Sequence, residues 1–359
     1  MNNWEIDIIV VGGGPAGCYA AWTAAEKGLS CLLLEEHTAI GLPRHDPGWL
    51  IDNPFTEQLT DRIKDNLRIR RMTAFRVRDP FTGEVREEIP GGGYIVRRDL
   101  LERELAIRAA NAGTRILLKT RCTGFLKENG RVIGVKTDRK DLPELKAGVV
   151  ICADGLRSAL DGLASGEITS NENLDFGSGI NLELANLEDA EPGTVELYLT
   201  QDDRDLNYKH LVIHEEGQCF LSFSSLSNFE EVKERTDNIL SEKLRRAQCL
   251  HIGGYQSRRH SGLFLNTIAK DGVLFIGDAS GGGGAIHGMI QGYLAAGVAF
   301  QAIEKDDSSL NTLSLYQDLV TKTFQGALFY WFFVRENYGT FTDWIERMRM
   351  IRVLEINKV

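Results

Sequence analysis

Residues 6–36 read IDIIVVGGGPAGCYAAWTAAEKGLSCLLLEE. Ile6 to Val11 are an apolar run rich in β-branched residues, which is typical of a strand buried on both faces. A helical pattern follows from about Ala16 to Lys27, and Gly28 is placed to end it. Cys31 to Leu34 predict a second buried strand. The stretch is therefore a strand, a glycine-rich turn, a helix and a second strand.

The turn carries the spacing Gly12-x-Gly14-x-x-Gly17, which indicates a dinucleotide site. The first glycine allows a tight turn, the second lets the backbone approach a pyrophosphate, and the third lets the helix pack on the strand. The helix N-terminus offers unpaired N–H groups and partial positive charge to the pyrophosphate. Glu35 follows Gly17 by 18 positions, close to the offset of about 20 expected for an acid that accepts hydrogen bonds from ribose hydroxyls.

The composition is that of an ordinary globular protein, with 43% hydrophobic and 26% charged residues among 359. A net charge of −10 argues against broad nucleic-acid binding, because phosphate contacts need clustered lysines and arginines. The six cysteines form no C-x-x-C pair. No signal peptide precedes the first strand, and no apolar run reaches the roughly 18 residues that span a bilayer. We therefore expect a cytoplasmic protein.

Two sequence patterns alternate along the chain. Buried strands at 147–153 and 272–277 run into Asp154 and Asp278, whereas 176–225 shows the alternation of an antiparallel sheet. Hairpins are predicted at 70–89 and around Asn129-Gly130. The predicted fold class is α/β, with a Rossmann-type dinucleotide-binding domain interleaved with an antiparallel-sheet substrate domain, plus C-terminal helices. The predicted domains are a discontinuous nucleotide domain (1–175 and 260–305), a sheet domain (176–259) and a C-terminal helical segment (306–359).

Three motifs occur in a specific order: the glycine turn with Glu35, then Ala153-Asp154-Gly155-x-x-Ser158, then Gly277-Asp278-Ala279. Together they resemble the FAD-dependent superfamily with the p-hydroxybenzoate-hydroxylase-like fold. Ile40-Gly41-x-Pro43 and Tyr94-x-Val96-x-Arg98 resemble its geranylgeranyl reductase branch most, whose members hydrogenate isoprenoid double bonds. The resemblance covers residues 6 to 303 and implies FAD as the cofactor.

The resemblance also implies roles for individual residues. Asp278 is expected to accept hydrogen bonds from the ribityl hydroxyls or nearby amides, and Arg98 to reach the phosphate and ribityl region. Asp154 is expected to hold the cofactor loop, and backbone groups at Cys122 to meet the adenine. A helix starting near Gly288 is expected to point its N-terminus at the flavin. The predicted FAD contacts are Gly12, Gly14, Pro15, Ala16, Gly17, Glu35, Glu36, Arg44, Gly48, Arg98, Cys122, Asp154, Gly155, Asp278, Gly288, Met289 and Ile290.

The sequence departs from the reductase pattern at three places. The family's Pro-x-x-Cys element reads Pro43-Arg44-His45-Asp46, so an aspartate replaces the cysteine. Of the family's Tyr-x-Trp-x-Phe-Pro strand, only Tyr208 is kept. Before the flavin-facing helix, Ala285 stands where proline is expected, and Met289-Ile290 where a glycine pair is expected. These changes predict a substrate that differs from the usual isoprenoid of the family.

The predicted function is reduction or dehydrogenation of a C=C bond in an apolar or isoprenoid-like small molecule. Hydride passes from flavin N5 to one carbon, and a protein acid protonates the other. The acid candidates are His45, Asp46, Tyr208 and His287, with His210 as a further histidine. The electron donor is NAD(P)H or a reduced electron-carrier protein. No histidine pair has the helical spacing of a metal site, so we predict no metal.

Two alternatives stay open from the sequence. The first is an aromatic hydroxylase of the same fold that uses FAD, NAD(P)H and oxygen. The second is a non-catalytic flavoprotein that passes electrons to a partner protein. The C-terminal residues 329–333 are five consecutive aromatics in a helical pattern. Such a helix packs on its own domain, on a second subunit in a homo-oligomer, or peripherally on a membrane.

Overall fold

The computed structural model describes residues 6–44, 46–63, 67, 69–79, 81–155, 176–198, 209–215, 217–224, 239–258, 267–281, 284–337, 346 and 349–351. Side chains are described for these residues except 176–178, 209–215, 223, 224, 239–241, 256–258 and 325–337. Within these ranges the chain forms four β-sheets and six α-helices.

A six-stranded sheet forms the nucleotide unit. Its strands are β1 (Ile8–Val11), β2 (Cys31–Leu34), β8 (Arg115–Leu117), β12 (Val149–Cys152), β18 (Ala269–Lys270) and β19 (Val273–Phe275). They follow the order β18-β19-β12-β1-β2-β8. All neighbours are parallel except β18 and β19. The four central strands β1, β2, β12 and β19 are apolar and buried along their whole length, as in a parallel sheet covered on both faces, so the predicted α/β class is confirmed.

Small side chains let the helices of this unit pack closely. The helices are α1 (Pro15–Glu26), α2 (Pro54–Ile63), α3 (Arg98–Asn111) and α5 (Ala285–Glu304). Helix α1 contacts both α3 and α5. A Cβ at Gly292 would stand closer than 3.0 Å to the carbonyl oxygen of Ala16, so only glycine allows this approach of α5 to α1. The main hydrophobic core surrounds α1 and the sheet.

A seven-stranded sheet forms the second unit. Its strands are β5 (Ala74–Arg78), β6 (Val85–Pro90), β13 (Phe176–Ala185), β14 (Thr194–Tyr198), β15 (Lys209–Glu215), β16 (Gln218–Ser224) and β17 (Gln248–Arg258). Their order is β17-β13-β16-β15-β14-β5-β6. Helix α4 (Ile239–Leu244) lies between β16 and β17 in the chain. The pair β14 and β5 is parallel and the others are antiparallel, so the sheet is mixed rather than purely antiparallel.

The predicted hairpin at 70–89 is confirmed as β5 and β6, but it adds two strands to this second sheet. The sequence placed residues 1–175 with the nucleotide domain. A hairpin has two open edges, and the edge of β5 is completed by β14 from much later in the chain. The domain limits themselves stay a prediction.

Two three-stranded sheets complete the fold. One contains β9 (Cys122–Glu128), β10 (Arg131–Thr137) and β11 (Glu144–Lys146). Its β9–β10 turn has positive φ at Asn129 (48°) and Gly130 (86°), which confirms the predicted hairpin. The other contains β3 (Trp49–Ile51), β4 (Arg70–Arg71) and β7 (Gly93–Ile95). Trp49 and Ile95 pack against apolar residues of the seven-stranded sheet, so this small sheet joins the two large ones.

The C-terminal part returns to the nucleotide unit. Helix α6 (Leu310–Asn337) packs against α5 and β18. Ile351 lies in the main core, and Nε of Arg349 lies 2.7 Å from Oδ1 of Asp52. Among the described residues, no helix has both the length and the apolar character needed to cross a bilayer. Residues 329–333 belong to α6, but their side chains lie outside the described ones, so membrane contact stays a prediction.

Candidate cofactor and active site

Strand register brings four predicted contact positions to one edge of the six-stranded sheet. Val11 is paired with both Leu34 and Cys152, and Cys152 is paired with Phe275. The residues that follow these strand ends are Gly12, Glu35, Asp154 and Asp278. They therefore gather at the carboxyl edge, where open α/β sheets bind their ligands.

The three motif glycines have different surroundings. Gly12 has φ +103°, and a Cβ there would stand closer than 3.0 Å to the carbonyl oxygen of Ala153. A Cβ at Gly17 would overlap the carbonyl oxygen of Gly12, so this glycine lets α1 pack on the turn. A Cβ at Gly14 would have no atom within 4 Å. Gly14 therefore borders the open space into which the N-terminus of α1 points, and this cradle fits a pyrophosphate.

The buried carboxylate of Glu35 holds the turn in place. Oε2 accepts a hydrogen bond from the Gly13 N–H at 2.6 Å. Oε1 accepts one from the His37 N–H at 2.8 Å and lies 2.5 Å from Nδ1 of the His37 ring. Glu36 is exposed. Since a carboxylate has about four acceptor positions, Glu35 also has room for ribose hydroxyls, and these contacts stay predictions.

Arg98 lies at the start of α3 in a buried, acid-rich cluster. Its two terminal nitrogens lie 2.9 Å from Oδ2 of Asp46 and 2.9 Å from Oε1 of Glu102. Burial opposes the charge of Arg98, but the carboxylates of Asp46, Glu102 and Asp278 outweigh burial and raise its pKa. The residue is 8% exposed, and its Nε has no hydrogen-bond partner among the described residues. A buried donor of this kind fits the predicted contact with a cofactor oxygen.

The loop that carries Asp46 is held by close backbone contacts. Gly41 (φ +83°) and Gly48 (φ +86°) would each push a Cβ closer than 3.0 Å to a carbonyl oxygen, that of Asp99 and of Val96 respectively. The Gly48 N–H donates to Oδ1 of Asp46 at 2.8 Å. Both oxygens of Asp46 are therefore engaged, one by Gly48 and the other by Arg98.

Arg44 connects this loop with the second sheet. Its NH1 lies 2.5 Å from Oε2 of Glu183 on β13, and Arg97 NH1 lies 3.7 Å from the other oxygen of Glu183. A Cβ at Gly253 would overlap the Arg44 carbonyl oxygen, and Nε2 of His251 lies 3.2 Å from the same oxygen. The two large sheets thus meet at the loop beside the cofactor edge.

Strand pairing shows which face of the second sheet meets the loop. Glu183 is paired with Phe220 and His251, so these three side chains share one face. Asn181, Ser222 and Gly253 are paired on the same face. Near the loop this face carries polar side chains together with Phe220, whereas the other face of β13 carries Ile180, Leu182 and Leu184 in an apolar cluster.

A 3₁₀ turn at Gly277–Ser280 carries Asp278. Gln291 of α5, fully buried, accepts a hydrogen bond from the Gly277 N–H at 2.6 Å and donates to Oγ of Ser280 at 2.9 Å. Gln291 therefore fixes the backbone that presents Asp278.

Helix α5 begins at Ala285, earlier than the predicted start near Gly288. The Gly288 N–H donates to the Gly284 carbonyl at 3.1 Å, and a Cβ at Gly288 would contact Ala16. The side chains of Met289 and Ile290 are fully buried in the core. The amides without an intrahelical acceptor lie in the first turn, before Gly288. Cofactor contacts of Gly288, Met289 and Ile290 stay predictions.

The predicted adenine side of the site contains Cys122 and Asp154. Cys122 is 6% exposed, and its Sγ lies 3.6 Å from the Gly124 carbonyl oxygen. Burial raises the pKa of the Cys122 thiol to about 12, with a further contribution from Asp154. Gly155 has φ +80° and no atom within 4 Å of a Cβ. Ser158 of the same motif lies outside the described residues.

Two of the four predicted proton donors, Asp46 and His287, lie within the described residues. His45 and Tyr208 lie outside the described residues. Asp46 is engaged by Arg98 and Gly48, as described above. The ring of His287 is half-buried in the first turn of α5 and packs edge-on against Phe324 of α6, with 5.1 Å between ring centroids.

Sequence reasoning missed three side chains that hold the site. Glu102 stands four residues after Arg98 on one helix, and this ion-pair spacing was a usable signal. Gln291 is a polar residue within an otherwise apolar helix, which is a weaker signal. Nothing local in the sequence connects Glu183 with Arg44.

Comparisons with known proteins identify the family to which the chain is similar. A family model described as FAD dependent oxidoreductase matches residues 7–156. The chain is 32% identical over 327 residues to the digeranylgeranylglycerophospholipid reductase of Methanosarcina acetivorans, covering 86% of this chain and 78% of that protein. It is 28% identical over 346 residues to digeranylgeranylglycerophospholipid reductase 2 of Methanopyrus kandleri, covering 90% and 85% respectively.

The fold also matches a solved structure. The crystal structure of a geranylgeranyl bacteriochlorophyll reductase-like protein from Thermoplasma acidophilum superposes with a TM-score of 0.80. The match covers 97% of this chain and 94% of that one at 24% identity. A likeness at this identity shows the shared fold, while the chemistry depends on the site.

Proposed function

Because this chain belongs to the digeranylgeranylglycerophospholipid reductase family of FAD-dependent oxidoreductases, we propose that it saturates C=C bonds of an isoprenoid lipid. The family and the cofactor predicted from sequence are confirmed by these relatives. The lipid, the electron donor and the roles of individual residues belong to the proposal.

One observation carries the proposal: the cofactor edge and the second sheet meet at the 41–48 loop, through Arg44 and Glu183. A molecule bound on the Glu183 face of the second sheet would lie next to the cofactor. Asn181, Ser222 and His251 make this face polar near the loop.

Residues of the chain would hold the cofactor by its charged and polar parts. The amides at the start of α1 and the open space at Gly14 suit the pyrophosphate. Arg98 supplies a buried donor, and Glu35 suits the ribose hydroxyls. When bound in its reduced form, FAD supplies the hydride that becomes attached to one carbon of the double bond.

The second carbon needs a proton, which completes the saturated C–C bond. One oxygen of Asp46 forms an ion pair with Arg98, and the other accepts a hydrogen bond from the Gly48 N–H. We therefore place the proton donor at His287 rather than at Asp46, with His45 and Tyr208 as the remaining candidates.

The test uses the purified holoprotein without oxygen. Its FAD is reduced with dithionite, and a digeranylgeranylglycerophospholipid is then added in detergent micelles. We expect the oxidised-flavin absorbance to return and the lipid to gain two hydrogens for each bond saturated, measured by mass spectrometry. In His287→Gln the return should be slower by a factor of about 10² or more, because general acid catalysis typically contributes this much.

Three other outcomes would contradict the proposal. Oxygen consumption coupled to NADPH oxidation, with a hydroxylated aromatic product, would assign the hydroxylase function. Rapid flavin reoxidation by an electron-carrier protein, with the lipid unchanged, would assign electron transfer. Reoxidation by shorter or non-isoprenoid enones, with the lipid unchanged, would assign a different substrate class to the same chemistry.

A further inference from the structure

Asp46 stands where the resembled family carries a cysteine, and it changes the charge of the cofactor edge. Arg98 contributes one positive charge, while Asp46, Glu102 and Asp278 contribute three negative charges within range of it. The cluster therefore carries a formal charge of two negatives. A neutral side chain at position 46 would leave one.

Arg98 and Glu102 are buried, so water screens their charges little, whereas Asp46 is one-third exposed and its charge is screened more. The side chains of Arg98 and Glu102 are 7% and 8% exposed, and that of Asp46 is 33% exposed. Charges at the two buried sites act over longer distances than exposed ones, because the effective dielectric constant there is lower and salt does not enter.

The cluster is also rigid. Asp46 accepts a hydrogen bond from the Gly48 N–H at 2.8 Å, and the Gly48 carbonyl in turn accepts one from the Val96 N–H at 2.8 Å. The guanidinium of Arg98 is held at both terminal nitrogens, while its buried Nε lacks a protein partner among the described residues. The cluster lies within electrostatic range of Asp278, at the sheet edge where FAD binding is proposed.

We propose that Asp46 is a positioning residue that fixes Arg98 and adds a permanent negative charge at the cofactor edge, which makes the reduced flavin a stronger reductant. Reduction adds negative charge to the flavin ring system, and a nearby carboxylate opposes that change. The bound flavin then has a lower midpoint potential, which favours transfer of its hydride to an unactivated double bond. This inference rests on FAD binding and is independent of the lipid in the proposed function.

The experiment measures the midpoint potential of the bound flavin, by equilibration with a reference dye under anaerobic conditions, in four variants. Asp46→Asn keeps the size of the side chain and removes its charge. Asp46→Glu keeps the charge and changes its position. Glu102→Gln removes the other partner of Arg98. Asp141→Asn is the matched control, because Asp141 forms an exposed ion pair with Arg139 on a distant turn.

At a fixed potential, we expect Asp46→Asn to raise the ratio of reduced to oxidised flavin about tenfold over the unmodified protein. For a two-electron couple this corresponds to about 30 mV. Glu102→Gln should move the ratio in the same direction. Asp46→Glu and Asp141→Asn should stay within about twofold.

Either of two results would overturn the proposal. One is a ratio in Asp46→Asn within twofold of the unmodified protein. The other is an equal change in Asp46→Asn and Asp46→Glu, which would show that geometry and not charge is sensed. If Asp46→Asn does not retain FAD, Glu102→Gln decides alone by the same criterion. Since no lipid is present, failure of the proposed function leaves this measurement intact.

Discussion

Alanine substitutions at Gly14 and Gly17 add the same methyl group at two positions three residues apart, with opposite expected effects. At Gly14 the methyl would enter space with no atom within 4 Å. At Gly17 it would overlap the carbonyl oxygen of Gly12, where real Cβ atoms stay beyond 3.0 Å. The pair therefore separates cofactor binding from packing of the turn.

The magnitudes follow from the backbone and the clash. Gly14 has φ −71° and ψ −178°, which alanine also adopts. Alanine there gains about 0.4–1 kcal/mol through the unfolded chain and loses a similar amount as a poor N-cap. Gly14→Ala should therefore change the free energy of unfolding by less than about 1 kcal/mol. Gly17→Ala should lower it by about 1–3 kcal/mol or more, as overpacking does.

FAD binding should be weakened more by Gly14→Ala than by Gly17→Ala. A methyl at Gly14 occupies the approach of the pyrophosphate, so we expect at least tenfold weaker FAD binding, or about 1.4 kcal/mol. The assays are urea unfolding of the apoprotein and quenching of flavin fluorescence on titration with apoprotein. FAD affinity of Gly14→Ala within twofold of the unmodified protein would refute the placement of the cofactor at this turn. An unchanged unfolding midpoint for Gly17→Ala would refute the packing argument.

Gln291→Leu should lower the free energy of unfolding by about 1–3 kcal/mol, because the buried Gly277 N–H loses its acceptor; an unchanged urea midpoint would contradict this. Burial opposes ionisation of Glu196, but Lys243, 2.8 Å away, helps hold the pKa of this carboxyl below its ordinary 4.5. The resulting stability is present above that pH and lost as pH falls below it, so urea midpoints between pH 3 and 6 should fall less steeply in Lys243→Met; equal slopes would count against this contribution. Ellman's reagent should titrate at most one thiol quickly in the native protein, that of the half-buried Cys249, and six after unfolding, because the other five are buried; three fast thiols would contradict that burial.

The nucleotide unit could be predicted from sequence because its parts depend on near neighbours. The turn needs glycine at Gly12 for its positive φ, and α1 needs glycine at Gly17 to approach it. Glu35 follows the next strand directly, and its carboxylate reaches back to the turn. Each requirement therefore appears as a recognisable residue pattern within about three dozen residues of sequence.

Pairing between strands far apart in the chain has no such local sequence pattern. Ala74 is paired in parallel with Thr194 from much later in the chain, and no turn joins β5 to β14. Alternation predicts that both segments are strands, but it does not predict which strand completes which edge. The hairpin was therefore recognised and its sheet was not.

The same limit applies to the site. The replacement of cysteine by Asp46 is visible in the sequence, whereas its ion pair with Arg98 joins a loop to a helix through the fold. The start of α5 was missed for a different reason. Residues 281–284 are all glycines, and any of them can precede a helix; the structure places the cap at Gly284, with φ 90°.

The close approach of Gly253 to the Arg44 carbonyl oxygen has a consequence for altering substrate range. Mutagenesis aimed at new substrates would naturally target β17 and β13, which carry the polar face of the second sheet. Any side chain at Gly253 would push on the loop that holds Asp46, and so reach the flavin environment. Libraries that vary Gly253 would then select for cofactor retention and redox behaviour together with substrate fit. Keeping Gly253 while varying Asn181 and Ser222 would keep those two traits apart.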